Sequence, residues 1–133
     1  MPIRKMMDKA KEWLGFNLAV TAPETAQAKF LLSYQGLLIG TLSVEQGVWK
    51  FAYSDEFRRS DILRPLVEFP DVTRVYENRE LWQFFASRIP SPERQEVEAI
   101  LRREHIAEDD AVSLLRHFGQ RTIANPFQLE YAA

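Results

Sequence analysis

Two turn signals, Gln35-Gly36 and Glu45-Gln46-Gly47, divide the stretch from Lys29 to Tyr53 into three short apolar runs. Glycine-containing pairs between apolar runs mark tight hairpin turns, so the spacing predicts an antiparallel three-strand meander. Phe30, Leu31 and Leu32 form the first run, and Leu37, Leu38 and Ile39 open the second. Gly40 lies inside that second strand, where a glycine signals a bulge or a close backbone approach. In the third, Trp49, Phe51 and Tyr53 alternate with Val48, Lys50 and Ala52, which puts three aromatic rings on one face. A meander of this size needs a second layer against that face. The rest of the chain must supply it, which predicts an α+β fold: a small antiparallel sheet packed with about three helices.

Downstream of the meander, Glu56 to Asn78 mixes apolar and charged residues, and Pro65 and Pro70 interrupt any long element. Irregular chain with one short strand is expected there. Arg58, Arg59, Arg64 and Arg74 suggest a phosphate patch, but neighbouring acids favour a self-paired, solvated surface. Glu77 to Ile89 reads as a helix that Pro90 stops. Ser91-Pro92-Glu93 then reads as a helix start, with serine as cap and proline in the first position. Val97, Ile100, Leu101 and Ile106 give that helix its apolar side. Glu108-Asp109-Asp110 opens a last helix whose inner face is Val112, Leu114, Leu115 and Phe118. Gly119 is expected to end it in a left-handed conformation. In the tail, Phe127, Leu129 and Tyr131 alternate as an edge strand would.

At the other end, Ile3, Met6, Met7, Ala10, Trp13 and Leu14 trace one helical face over residues 2–14, and Gly15 follows. A basic amphipathic helix can lie on a membrane. Packing on its own domain or on a partner is the plainer reading. Residues 17–28 read as a linker. The expected organisation is therefore an N-terminal helix and linker over 1–28 and one domain over 29–133.

Length and charge narrow the function classes. The chain has 133 residues, enough for one modest core. Its formal net charge of −2 provides no basic field for nucleic acid, and with no cysteine it has neither disulfides nor thiolate metal ligands. No apolar run approaches the roughly 20 residues of a membrane span. Lys9, Lys11 and Glu12 interrupt what a signal peptide would keep apolar. A cytoplasmic protein is expected.

The run LSYQGLLIGTLS, with WKFAYSDEF, LWQFFASRIPSPERQEVEAILRREHI and EDDAVSLLRHFGQR after it, resembles the N-terminal subdomain of HipA-type toxin kinases and its HipS-like counterparts. The matching pieces are Phe84-Phe85 with Pro90, Pro92-Glu93, Asp109-Asp110 and Gly119, within roughly Lys29 to Leu129. Two departures stand out. The family continues past that glycine with small residues, where this chain has Gln120 to Pro126, and no kinase body follows. The resemblance implies a small β-meander with helices, and an antitoxin-like protein that binds and restrains a HipT-like Ser/Thr kinase. A HipB-like DNA-binding protein is the implied third member.

Kinase chemistry itself is not written in the sequence. The five glycines form no G-x-G-x-x-G run, and His117-Phe118-Gly119 carries histidine where a magnesium-binding carboxylate is required. His105 and His117 are too far apart in sequence for an evident metal site, and each suits a helix C-terminus. Asp109 and Asp110 suit capping rather than acid–base work. No enzyme activity and no cofactor are expected.

Recognition surface remains. On a helix over 81–89, Leu81, Phe85 and Ile89 fall within about 80°, while the apolar arc from Phe84 to Ala86, Trp82 included, spans about 200°. A surface helix needs less. Either the helix is sandwiched in the domain or one flank serves a partner. Trp82, Phe84 and Arg88 are the candidate partner-binding residues, tryptophan and arginine being frequent interface anchors. The competing reading is a nucleic-acid-binding module that stacks bases on Trp49, Phe51 and Tyr53, and it requires those rings to be exposed.

Overall fold

The structure is a computed structural model and describes residues 22, 26–120 and 125–132. The expected helix over 2–14 and most of the linker over 17–28 lie outside the described residues. The three expected strands are β1 (Gln27–Tyr34), β2 (Leu37–Glu45) and β3 (Val48–Tyr53). Their connections are two-residue turns with φ of 48° and 83° at Gln35-Gly36 and 52° and 75° at Gln46-Gly47. Positive φ at both positions is the type I′ geometry whose twist matches the flanking strands. β1 begins two residues before Lys29, and Ala28 is already buried.

Two further strands complete an antiparallel sheet in the order β4-β3-β2-β1-β5. One face is built from pairs directly opposite each other. Phe30 lies across from Leu42, Leu42 across from Phe51, and Val44 across from Trp49. Strand alternation puts all of these on the inner side, where they are buried.

Gly40 marks both features that its position suggested. Leu32 pairs with Gly40 but Ser33 pairs with Leu38, so Ile39 is the extra residue of a bulge. A Cβ on Gly40 would lie 2.5 Å from the Ala52 carbonyl oxygen and 2.8 Å from the Phe51 ring. Ser54 closes this bulge from across the sheet. Its N–H donates to the Ile39 carbonyl at 2.8 Å, and its hydroxyl donates to that of Leu38. The same hydroxyl accepts from the Phe57 N–H at 3.0 Å and so caps the short helix α1 (Asp55–Arg58).

The layer over the inner face is only partly helical. Phe57, Phe69, Leu81, Phe85, Ala111 and Leu115 cover it. β4 (Tyr76–Asn78) supplies the short strand expected in the middle segment, pairing Phe51 with Tyr76 and Trp49 with Asn78. The helix expected over 77–89 is accordingly much shorter. Pairing with β3 takes Glu77 and Asn78, Trp82 is extended with ψ of 147°, and α2 spans only Gln83–Ala86. Its continuation is a tighter turn, with Arg88 N–H donating to the Phe85 carbonyl and Ile89 N–H to that of Ala86.

The last two helices form a small second core. α3 (Gln95–Arg103) and α4 (Ala111–Phe118) bring Val97, Leu101 and Leu114 together, with Ile89, Ile106 and Phe118 at the margin. Ser91-Pro92-Glu93 makes a turn ahead of α3 instead of its first turn, because Arg94 is extended with ψ of 133° and serves as the N-cap. α3 ends with His105 at φ of 56° and Ile106 N–H donating to the Leu101 carbonyl, a Schellman closure. Asp110 caps α4, accepting from Ser113 N–H at 3.1 Å and from its hydroxyl at 2.7 Å. Gly119 is not left-handed. Its φ is −82°, and glycine is required because a Cβ would collide with the Leu115 carbonyl oxygen.

The alternating tail forms β5 (Gln128–Tyr131) beside β1, with Leu129 opposite Leu32. The Leu129 N–H donates to the Gln120 carbonyl at 2.9 Å, and the Ala132 N–H to that of Lys29 at 2.8 Å.

Candidate partner-binding surface

Phe69 is the hub from which this surface is built. It sits between two prolines in a segment without regular structure, yet it is fully buried. Around it are Phe51 at 4.5 Å between ring centroids, Trp82 at 5.0 Å and Tyr76 at 5.1 Å. Tyr53 fixes its backbone. The Tyr53 hydroxyl donates to the Phe69 carbonyl at 2.6 Å and accepts from the Leu66 N–H at 2.8 Å. The Phe69 N–H in turn donates to the Leu66 carbonyl at 2.9 Å, so Leu66–Phe69 is a closed turn with Val67 and Glu68 at its tip. Burial pushes the Tyr53 hydroxyl up to about 12, although the bond from Leu66 opposes the shift.

Each of the three candidate residues has a distinct place. Trp82 precedes α2 and is half-buried, its ring edge-on to Phe69. Phe84 is also half-buried, edge-on to Phe85 at 5.1 Å and to Phe127 at 5.6 Å. Both rings therefore have one side on the core and part of their surface uncovered. Arg88 is different: it is only 4% exposed. Its guanidinium donates to the Gly119 carbonyl at 2.9 Å, to Asn125 Oδ1 at 3.0 Å and to the Phe127 carbonyl at 2.9 Å. Burial lowers its pKa to about 10, which leaves it a cation at neutral pH. In the chain alone it ties α2 to the end of α4 and to the approach to β5, with no outward reach.

Beside Phe84 lies an open cleft of about 460 Å³, with Pro65, Leu66, Val67 and Glu68 on one side and Gln83 and Phe84 on the other. Val67 is 96% exposed and Ile62 70%. The sequence reading passed over Val67, Glu68 and the Tyr53 hydroxyl. Pro65 and Pro70 bracketing a four-residue segment are the signal that points to a fixed turn there.

The stacking platform for nucleic acid is ruled out by burial. Trp49 and Phe51 have no exposed surface, and Tyr53 is in the core with them. Two of the four arginines of the middle segment are engaged locally. Arg58 pairs with Asp55 at 3.0 Å, and Arg74 lies over the Tyr76 ring. Among the described residues no group of histidine, aspartate and glutamate is arranged to hold a metal ion. Among them, too, no helix is long and apolar enough to cross a membrane.

Comparison with known proteins places this geometry in a family. A search of curated proteins returns no match. A family model described as the HipA N-terminal domain matches residues 31–124, from β1 to the approach to β5. That span takes in the meander from Leu31 on, the Tyr53-fixed turn, both half-buried aromatics and Arg88 with its Gly119 partner, so the chain belongs to the HipA N-terminal domain family.

Proposed function

We propose that this chain is a non-catalytic, antitoxin-like protein that docks on a HipA/HipT-like Ser/Thr kinase and restrains it. The observation that supports this most directly is the family match to a subdomain of kinase toxins, joined to a core that is complete without Trp82, Phe84 and Val67 being covered. Partly exposed aromatic rings on a fixed backbone lose little entropy on binding and make efficient anchors. Restraint follows when docking completes the kinase's small lobe and an aromatic side chain, Trp82 or Phe84, blocks or distorts its active cleft. Arg88 contributes by holding α2 and the tail in register. A HipB-like DNA-binding protein is the third component, and the complex works in the cytoplasm. The docking unit is the domain over 29–133, to which β1 adds Gln27 and Ala28.

The test is co-expression with a HipA/HipT-like Ser/Thr kinase from the same genome. The expected result is a complex that survives size exclusion and has lower autophosphorylation than the kinase alone. A kinase that elutes separately, with unchanged activity, refutes the reading.

A further inference from the structure

The cleft beside Phe84 is built, not incidental. Its outer wall is the Leu66–Phe69 turn, held at both ends by the Tyr53 hydroxyl, with Tyr53 itself in the core. Across from it are Gln83 and Phe84, the latter packed on Phe85 and Phe127. At the tip of the turn stands Val67, the most exposed large apolar side chain among the described residues. An apolar side chain displayed on a rigid turn, at the rim of an apolar cleft, marks an interaction surface.

The charge at the rim narrows what fits. Glu68 is the charged residue among those lining the cleft, and it has no ion-pair partner among the described residues. Gln83 on the opposite wall is exposed and adds a neutral polar group. The volume, about 460 Å³, is at the small end of ligand sites and holds one large side chain with a neighbour. An acidic segment would be repelled by Glu68. A basic one would be attracted.

We propose that this cleft receives one aliphatic or aromatic side chain from a partner segment in which the next residue is a lysine or arginine that pairs with Glu68. This rests on the kinase-docking reading above and specifies the chemistry the kinase presents.

Two experiments separate the two ideas. In the first, the full chain, isotope-labelled, is titrated with N-acetyl-leucyl-arginine amide and followed by amide NMR. Shifts should concentrate at Val67, Glu68 and Phe84, and fall sharply with the leucyl-glutamate and glycyl-arginine analogues. Equal shifts with all three dipeptides, or none with any, overturn the cleft's assignment even where the kinase still binds. In the second, the HipA/HipT-like kinase of the co-expression test is titrated against wild type, Val67→Asp and Glu68→Lys. Each variant should weaken binding by about tenfold or more. The Glu68→Lys effect should shrink at high salt, as screening requires. Both variants change exposed side chains, so their melting temperatures should match wild type. Unchanged kinase affinity in both variants overturns the cleft assignment and leaves the docking reading standing. A kinase that does not bind wild type removes the docking reading and, with it, this one.

Discussion

Replacing Tyr53 by phenylalanine removes one oxygen atom and the two hydrogen bonds that hold the Leu66–Phe69 turn. The ring's packing is retained, since its stacking on Phe57 at 4.8 Å and its edge contact with Phe51 at 5.1 Å involve carbons. What is lost is the partner of the Phe69 carbonyl, in a buried bond, and of the Leu66 N–H, in a partly buried one. A hydrogen bond contributes about 1 kcal/mol net, and a buried group left without a partner costs about 1–3 kcal/mol more. Tyr53→Phe should therefore destabilise by about 2–3 kcal/mol. At about 4–8 °C per kcal/mol for a domain near this size, the melting temperature should fall by about 8 °C or more. Urea unfolding followed by fluorescence should show a lower midpoint with an unchanged slope, because the area exposed on unfolding hardly changes. pH supplies a second signature. Burial raises the hydroxyl pKa from 10.0 to about 12, so the folded state holds its proton after the unfolded chain has lost it. Wild-type stability from this group is complete below pH 10 and falls as pH rises through about 12, and the variant lacks that component of the decline. A loss below about 0.5 kcal/mol would show that the turn is held by Phe69 packing alone and would refute the reasoning.

The other expectations are simpler to state. Trp82→Ala keeps Phe69 in place but uncovers one side of it, so unfolding measurements should show a loss of about 1–2 kcal/mol, less than the 3–5 typical of a fully buried ring, with weakened kinase binding in titration. Arg88→Met should cost about 3 kcal/mol by urea unfolding, with amide exchange accelerating first in Gln128–Tyr131. Lys at that position should not rescue it, because one ammonium cannot reproduce a planar fork reaching Gly119, Asn125 and Phe127. Gly119→Ala should destabilise by about 1–3 kcal/mol through the Leu115 clash alone. Gly36→Ala meets no neighbour within 4 Å, and there the cost should be only the left-handed backbone's, about 1 kcal/mol.

The meander was legible because its information is local. Turn residues and alternation within 25 positions specify each pairing, and the same alternation revealed β5 from Phe127, Leu129 and Tyr131. Three residues are too few to show a period, so Glu77 and Asn78 read as the start of a helix although they pair with β3 as a strand. The apolar arc around residues 81–89 was real but came from a different geometry: Leu81 and Phe85 face the core from either side of an extended Trp82. The buried roles of Phe69 and Arg88 are illegible in the sequence for another reason. Each depends on groups far along the chain, Tyr53 at a separation of 16 and Phe127 at 39, and no local pattern encodes such partners. The same is true of the cleft, whose two walls, the Leu66–Phe69 turn and the start of α2, meet only in the folded chain.

The two margins of the sheet have a consequence for how this protein associates. A strand edge with free N–H and carbonyl groups invites another copy to add on, and repeated addition leads to fibres. Here β4 offers only three residues at one margin. At the other, the outward Leu129 N–H is already taken by the Gln120 carbonyl. Among the described residues neither margin provides a long run of free backbone groups for templating, so crowding the chain should not make it polymerise through its sheet. Recognition is left to side chains, whose shape and charge can distinguish one partner from another in a way that backbone pairing cannot.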